Sequence, residues 1–343
     1  MAARIEDASR QIVPITAAAE SWDAELGHLP SPIPIQQTWA WGEVQRSQRW
    51  RVERLRLSGG GRALVLLRGT RPFEWAYAPR GPVPATLHGV RELVEWARAR
   101  HLARLRVEPQ GPPELGELLR KAGFRRGPIS EPQHTVIVDL CDDERLLAKF
   151  RKGTRYNLRT AERLGVEVDE VDDTEELSRQ VAITYRRQGI LMSTSTFNQA
   201  LRKRMPDTRI YVARVGADPL AAILVARHGS HAYYLVGGSS GYRRELMPNY
   251  ALQWRAMTDA YRDGCSDYDL CGIPPPGEPN HPWHGLYQFK TGFGGREVEY
   301  TGPWDLVLSP AADAVLRHSR HTALRALRLA HRGKTLISRR PKA

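Results

Sequence analysis

Apolar positions along this chain switch between a period near two and a period near 3.6, and the switches divide it into strands and helices. Residues 52–57 read as a half-buried strand, and Gly59-Gly60-Gly61 turns them into the apolar run 63–67, a second strand. Residues 39–50 and 90–100 predict helices, and 105–109 a strand that Pro109 ends. Residues 115–122 predict a helix capped by Gly123, and 135–140 another strand. The same grammar then returns. Helical stretches fall at 144–164 and 174–188, and strands at 209–215 and 220–227 flank the turn Gly216-Ala217-Asp218-Pro219. A strand at 231–236, a helix at 248–263 and a buried strand at 267–270 follow. Each half thus holds a strand hairpin, a helix and a short strand ending near an acidic residue, which predicts two copies of one small α/β domain.

A length of 343 residues accommodates two such domains. No uninterrupted apolar run is long enough to span a bilayer, and residues 1–7 hold no apolar signal core, so a cytoplasmic location is expected. Cys141, Cys265 and Cys271 match no zinc spacing; they read as thiols in a reducing compartment, and no metal is expected. Net charge is +13, and nine basic residues between Arg317 and Lys342 follow Asp313 without one acid. That tract is an electrostatic footprint for RNA or an anionic membrane surface; a solvated helix and tail would carry the same residues.

The most pointed local signal is Gly285-Leu286-Tyr287-Gln288-Phe289-Lys290-Thr291-Gly292-Phe293-Gly294-Gly295. One lysine sits between aromatics, ahead of a glycine-rich turn. Aromatic walls desolvate an ammonium, and glycines admit a ligand close to the backbone. A fixed cation so placed suits a developing oxyanion or a phosphate, whereas a strand end with a surface lysine is the plainer alternative. No Ser-His-Asp spacing, phosphate loop or metal-ligand cluster occurs.

Around this segment stand other blocks in order: Tyr77-Ala78-Pro79-Arg80-Gly81-Pro82-Val83, Arg155-Tyr156-Asn157-Leu158-Arg159, Pro248-Asn249-Tyr250-Ala251-Leu252, Tyr268-Asp269-Leu270-Cys271-Gly272-Ile273 and Tyr300-Thr301-Gly302-Pro303-Trp304. Together, over about residues 37–308, they resemble the Fem-type (FemABX) aminoacyltransferases. The resemblance implies an α/β fold of two tandem acetyltransferase-like (GNAT) domains. Members often insert a coiled-coil arm, and no heptad run here supplies one. Residues 1–143 and 302–343 are expected to form the first, acceptor-side domain with the basic C-terminal helix and tail. Residues 144–301 are expected to form the second, on the aminoacyl-tRNA side.

The implied reaction moves an aminoacyl group from aminoacyl-tRNA to an amine, forming an amide on a peptidoglycan stem peptide. The alternative acceptor is a small amine or a natural-product peptide. No cofactor is expected. Where the acetyltransferase fold binds the CoA pyrophosphate, residues 239–249 hold one glycine among bulky side chains. The expected partners are aminoacyl-tRNA and the amine acceptor, with peripheral contact at the inner membrane face, for a monomeric chain.

Residue by residue, the resemblance gives Lys290 a role at the tRNA end and the oxyanion, and gives the Phe289 carbonyl the attacking amine. Trp39, with Gln37 before it, matches an aromatic near the acceptor; a core tryptophan reads equally well. Arg80 suits a phosphate or carboxylate, or a buried ion pair. Glu108 stands where relatives carry Asp and is expected to steer or deprotonate the acceptor, one methylene longer. Tyr233 and Tyr250 are expected in the shared cleft or in the core. Lys152, Arg155 and Arg159 lie on a basic helix that faces RNA or solvent. Gln37, and Leu191-Met192-Ser193-Thr194-Ser195 before Phe197, depart from members that bind nucleotide-linked acceptors. The departure points to a lipid-linked or a different acceptor.

Overall fold

The computed structural model describes residues 15–29, 33–58, 60–188 and 195–318. The tail after His318 and residues 191–194, on which two of the sequence expectations rest, lie outside them. The chain opens with α1 (Ile15–Gly27), a 3₁₀ turn at Ile35–Gln37 and α2 (Trp39–Ser47), whose N-cap Thr38 accepts a bond from the Trp41 amide. Then come β1 (Arg51–Arg56), β2 (Arg62–Arg68), β3 (Trp75–Arg80), α3 (Leu87–Ala99), β4 (Arg104–Pro109), α4 (Glu114–Lys121) and β5 (Arg125–Arg126). The second half runs β6 (His134–Asp139), α5 (Asp143–Lys149), α6 (Lys152–Arg163), β7 (Glu167–Val171), α7 (Glu175–Arg187), α8 (Ser195–Arg204), β8 (Thr208–Val215), β9 (Asp218–His228) and β10 (His231–Ser239). It continues with α9 (Pro248–Arg262), β11 (Asp267–Ile273), α10 (His284–Thr291), β12 (Arg296–Glu299) and β13 (Trp304–Val307).

Among the described residues these strands form two sheets, ordered β1-β2-β3-β4-β13-β5 and β12-β6-β11-β10-β9-β8-β7. The apolar runs of β2 and β9 are explained by burial on both faces. In β2, Ala63, Val65 and Leu67 face α3 and α4, while Leu64 and Leu66 face Trp22 and Leu26 of α1. In β9, Ala221, Ile223 and Val225 face α9, while Ala222, Leu224 and Ala226 face α7 and α8. Each sheet then holds a strand, a crossover helix and a parallel strand: β3-α3-β4 in the first, β10-α9-β11 in the second. The fold is thus two tandem acetyltransferase-like α/β units, and no long coiled-coil arm is present among the described residues.

The units are interwoven. β6 pairs with β11 and β12, so the strand at 134–139, expected in the first domain, belongs to the second sheet, and a boundary at 143 falls too late. Its buried face, Val136 and Val138, joins the core under α9, which draws it there. In the other direction β13 pairs with β4 and β5. Buried Arg106 holds it with a two-pronged bond to Asp305, at 2.6 and 2.7 Å. α2 also crosses between the units, packing Trp41 and Val44 against α7 and α8.

Candidate active site

The two parallel strand pairs differ. β3 and β4 stay paired over six positions, from Trp75↔Arg104 to Arg80↔Pro109. β10 and β11 pair only from His231↔Asp267 to Tyr233↔Asp269 and then part. The parting coincides with irregular register on both sides, between Tyr234 and Val236 and between Asp269 and Gly272. A cavity of about 720 Å³ fills the gap. Tyr234 and Gly237 of β10, Cys271 and Gly272 of β11, Tyr250 of α9 and Lys290 of α10 line it.

Lys290 lies in the last turn of a helix and is 5% exposed, not on a strand end at the surface. Its Nζ donates to the Gly272 carbonyl at 2.8 Å and the Cys271 carbonyl at 3.3 Å, and lies 5.3 Å from the centre of the Tyr234 ring. An ammonium carries three N–H bonds, so two carbonyls leave one for a ligand. Burial pulls its pKa down to about 8, against the opposing fields of Cys271 and Asp269. The carbonyls are aimed by a kink. Cys271 has φ of 56°, and the Asp269 carboxylate fixes it by accepting the Cys271 amide at 2.7 Å and the Thr135 hydroxyl. Burial raises the Asp269 pKa, while the Thr135 and Cys271 bonds and the charges of Arg80 and Lys290 oppose it. After Lys290 the chain must turn hard under α5. Gly294 has φ of 74°, and any side chain there would collide with the Lys149 carbonyl.

Phe289 and Tyr250 line the cavity and meet edge to face at 5.0 Å between ring centres. Among the described residues no donor is paired with the Phe289 carbonyl. Arg80 ends β3 with φ of 55°, donates to the Pro132 carbonyl at 2.5 Å and lies 4.5 Å over the Tyr300 ring. It forms no ion pair with the described residues.

Three expected contacts become structural ones. The Gln37 side-chain amide donates to Pro79 O at 2.5 Å and accepts from Leu64 N at 2.7 Å, tying β2 to β3 within the first unit. The Tyr233 hydroxyl is buried against Ile33 O at 2.9 Å. Both Glu108 oxygens are committed, to the Ser130 amide at 2.9 Å, the Glu131 amide at 3.1 Å and the Tyr77 hydroxyl. Trp39 packs beside the α1 cluster with the Arg54 guanidinium 3.5 Å over its ring and does not line the cavity. Lys152, Arg155 and Arg159 share α6, where Arg155 donates to the Phe150 carbonyl and the other two are exposed. α6 joins the site through the Arg151 amide, which donates to Gly292 O at 2.8 Å.

Other side chains at the site were not singled out by sequence. Arg187 and Arg244 also line the cavity, and neither makes an ion pair with the described residues. Burial and the Arg244 charge lower the Arg187 pKa. Only the tertiary fold brings these residues, 57 positions apart, together around Gly241. Asp269 carried little signal, being one of two acids, with Asp267, in the same short strand. Glu131 carried none beyond standing before a proline. It is half-buried between Gln36, Arg80 and Glu108, and burial pushes it up to about 7.

Comparison with known proteins places this geometry. The model of the FemAB family matches residues 186–318, the segment that supplies the cavity from Arg187 to Lys290. A lipid II:glycine glycyltransferase of Staphylococcus haemolyticus is 25% identical over 148 residues, 41% of this chain and 35% of the relative. One of Staphylococcus aureus (strain USA300) is 33% identical over 90 residues, 26% of this chain and 21% of the relative. The matched segments thus span about a third and a fifth of those relatives. Among solved structures, FemX superposes with a TM-score of 0.74 at 19% identity, covering 89% of this chain and 98% of FemX. The C-terminal domain of a putative lysylphosphatidylglycerol synthetase from Agrobacterium fabrum gives 0.55 at 19% identity, covering 90% and 97%. At such identities the structural likenesses are likenesses of fold. The chain thus resembles the FemAB family in sequence over residues 186–318, which carry most of the site, and shares the FemX fold over nearly its whole length.

Proposed function

We propose that this chain forms amide bonds by moving an aminoacyl group from the 3′ end of an aminoacyl-tRNA to an amine of a peptidoglycan precursor, at the cytoplasmic face of the membrane. The observation that carries the reading is Lys290. It is a buried ammonium held by two carbonyls, with its free N–H at the gap between parted strands. Attack of an amine on an ester needs orientation and a stabilised oxyanion, without a protein nucleophile. Lys290 supplies the fixed charge, and the Phe289 carbonyl accepts from the attacking amine. Arg187 and Arg244 take phosphate of the donor, and the basic face of α6 extends that surface. The glycyltransferase relatives support a cell-wall acceptor. No cofactor is used.

Purified protein with charged tRNA should aminoacylate lipid-linked or soluble muropeptide precursors. Lys290→Ala should lower turnover by about 100-fold or more while the thermal melt stays cooperative. Calorimetry should detect no micromolar binding of CoA. Near-wild-type turnover of the variant, or a tight CoA complex, would sink the reading. Reaction of free small amines alone would move it to natural-product acceptors.

A further inference from the structure

A carboxyl group that the sequence did not mark, Glu131, immediately precedes Pro132 in the wall of the cavity. Residues 130–132 are clamped from the first sheet. Glu108 accepts the amides of Ser130 and Glu131, and Arg80 donates to the Pro132 carbonyl. The clamp leaves the Glu131 side chain between the units. Gln36 Nε2 donates to its Oε2 at 2.9 Å, and among the described residues no donor is paired with its Oε1. Its neighbour Pro132 lines the cavity, as does Cys271. Cys271 in turn packs in one cluster with Ile35, the residue before Gln36. Glu131 is therefore adjacent to the cavity wall, and Cys271 of that wall feels the charges of both Glu131 and Lys290.

We propose that Glu131 is the general base for the acceptor amine, and that Glu108 is the positioning residue that presents it. The inference rests on the transfer reaction proposed above. The acceptor enters as an ammonium and gives one proton to the free Glu131 oxygen. The amine nitrogen then bonds to the ester carbonyl carbon, and the negative oxygen faces Lys290. The bond from that carbon to the ribose oxygen breaks, and the second amine proton ends on the ribose hydroxyl. Glu131 returns its proton to water.

The charged and titratable groups facing Glu131 are Arg80 and Tyr77 of β3, Glu108 of β4 and Cys271 of β11. Burial raises its pKa, Arg80 opposes the rise, Glu108 adds to it, and the Gln36 bond opposes it. The balance, about 7, suits a base that must both take and release a proton near neutrality.

The test is the pH dependence of kcat/KM for the acceptor, with charged tRNA saturating and the full chain. Glu131→Gln should lose about 100-fold or more at pH 8 and lose the rise centred near pH 7, with donor affinity unchanged. Glu131→Asp should keep the rise at reduced rate. Glu108→Gln should lower thermal stability and rate and move the rise to lower pH without abolishing it, because the Glu108 charge that helps to raise the Glu131 pKa is gone. A Glu131→Gln profile parallel to wild type would overturn the proposal while leaving the transfer reading intact. A wild-type chain that transfers nothing at any pH would overturn both.

Discussion

An ammonium taken out of water loses hydration that two carbonyls only partly replace, so Lys290 stays charged in the fold at a cost in stability. The sign follows from its pKa, lowered from 10.5 to about 8. Between those values the unfolded chain binds the proton that the folded chain has lost, so stability rises with pH through this window. Below about 8 both states are protonated, and the full penalty stands. Lys290→Met should therefore flatten the wild-type gain between pH 8 and 10.5, roughly 3 kcal/mol in denaturant titrations at paired pH values. Equal slopes in the two proteins would show that the charge is not confined as described. Lys290 was legible in sequence because its flanking aromatics and glycines are local. Asp269 and Glu131 were not, because what makes an acid chemical here is the company of Thr135, Arg80 and Gln36 from distant segments. Gln37 misled for the same reason. A glutamine beside a tryptophan reads as a substrate contact until two strands close around its amide.

At the scale of elements, β13 is the most exposed to a single change. Its place between β4 and β5 rests on a buried guanidinium, Arg106, whose carboxylate partner arrives from 199 residues later. Removing one partner of such a pair strands the other charge. Asp305→Ala should lower stability by about 3–5 kcal/mol, read from urea denaturation. Asp305→Asn should recover part of the loss by keeping an acceptor. A change within about 0.5 kcal/mol would mean that the strand docks without the pair. Most helices and central strands were legible from period and caps. The Gly123 cap, with φ of 89°, closes α4 where expected. β3 was passed over because Pro79 interrupts its pattern. α10 was open to a strand reading because eight residues ended by glycines are too few for a clear helical period.

Over the whole molecule the two units differ in one respect that matters: the parallel pair is closed in the first and open in the second. The open one holds the cavity that Arg187 and Arg244 line, the place proposed above for the donor. Two arginines without acidic partners among the described residues make an affinity for a polyanion that salt weakens. Replacing both with Gln should raise the KM for charged tRNA and flatten the dependence of log affinity on log salt by about 1.4, leaving kcat within about threefold. An unchanged salt slope would remove the pair from the donor path.

The weave of the chain also sets the order in which it can be built. β6 leaves the first unit for the second sheet, and Asp305 must return 199 residues after Arg106 to fill the gap beside β4. On a ribosome adding ~5–20 residues per second, the first sheet waits ~10–40 s with Arg106 unpaired and the edge of β4 bare. That interval makes an unfinished N-terminal half a natural client for chaperones. It also makes a cut between the units unlike a cut between beads on a string. Divided near residue 141, just after β6, neither fragment would carry a complete sheet: the first would hold β6 and lack β13, and the second would hold β13 and lack β6, so each would hold the strand that the other needs.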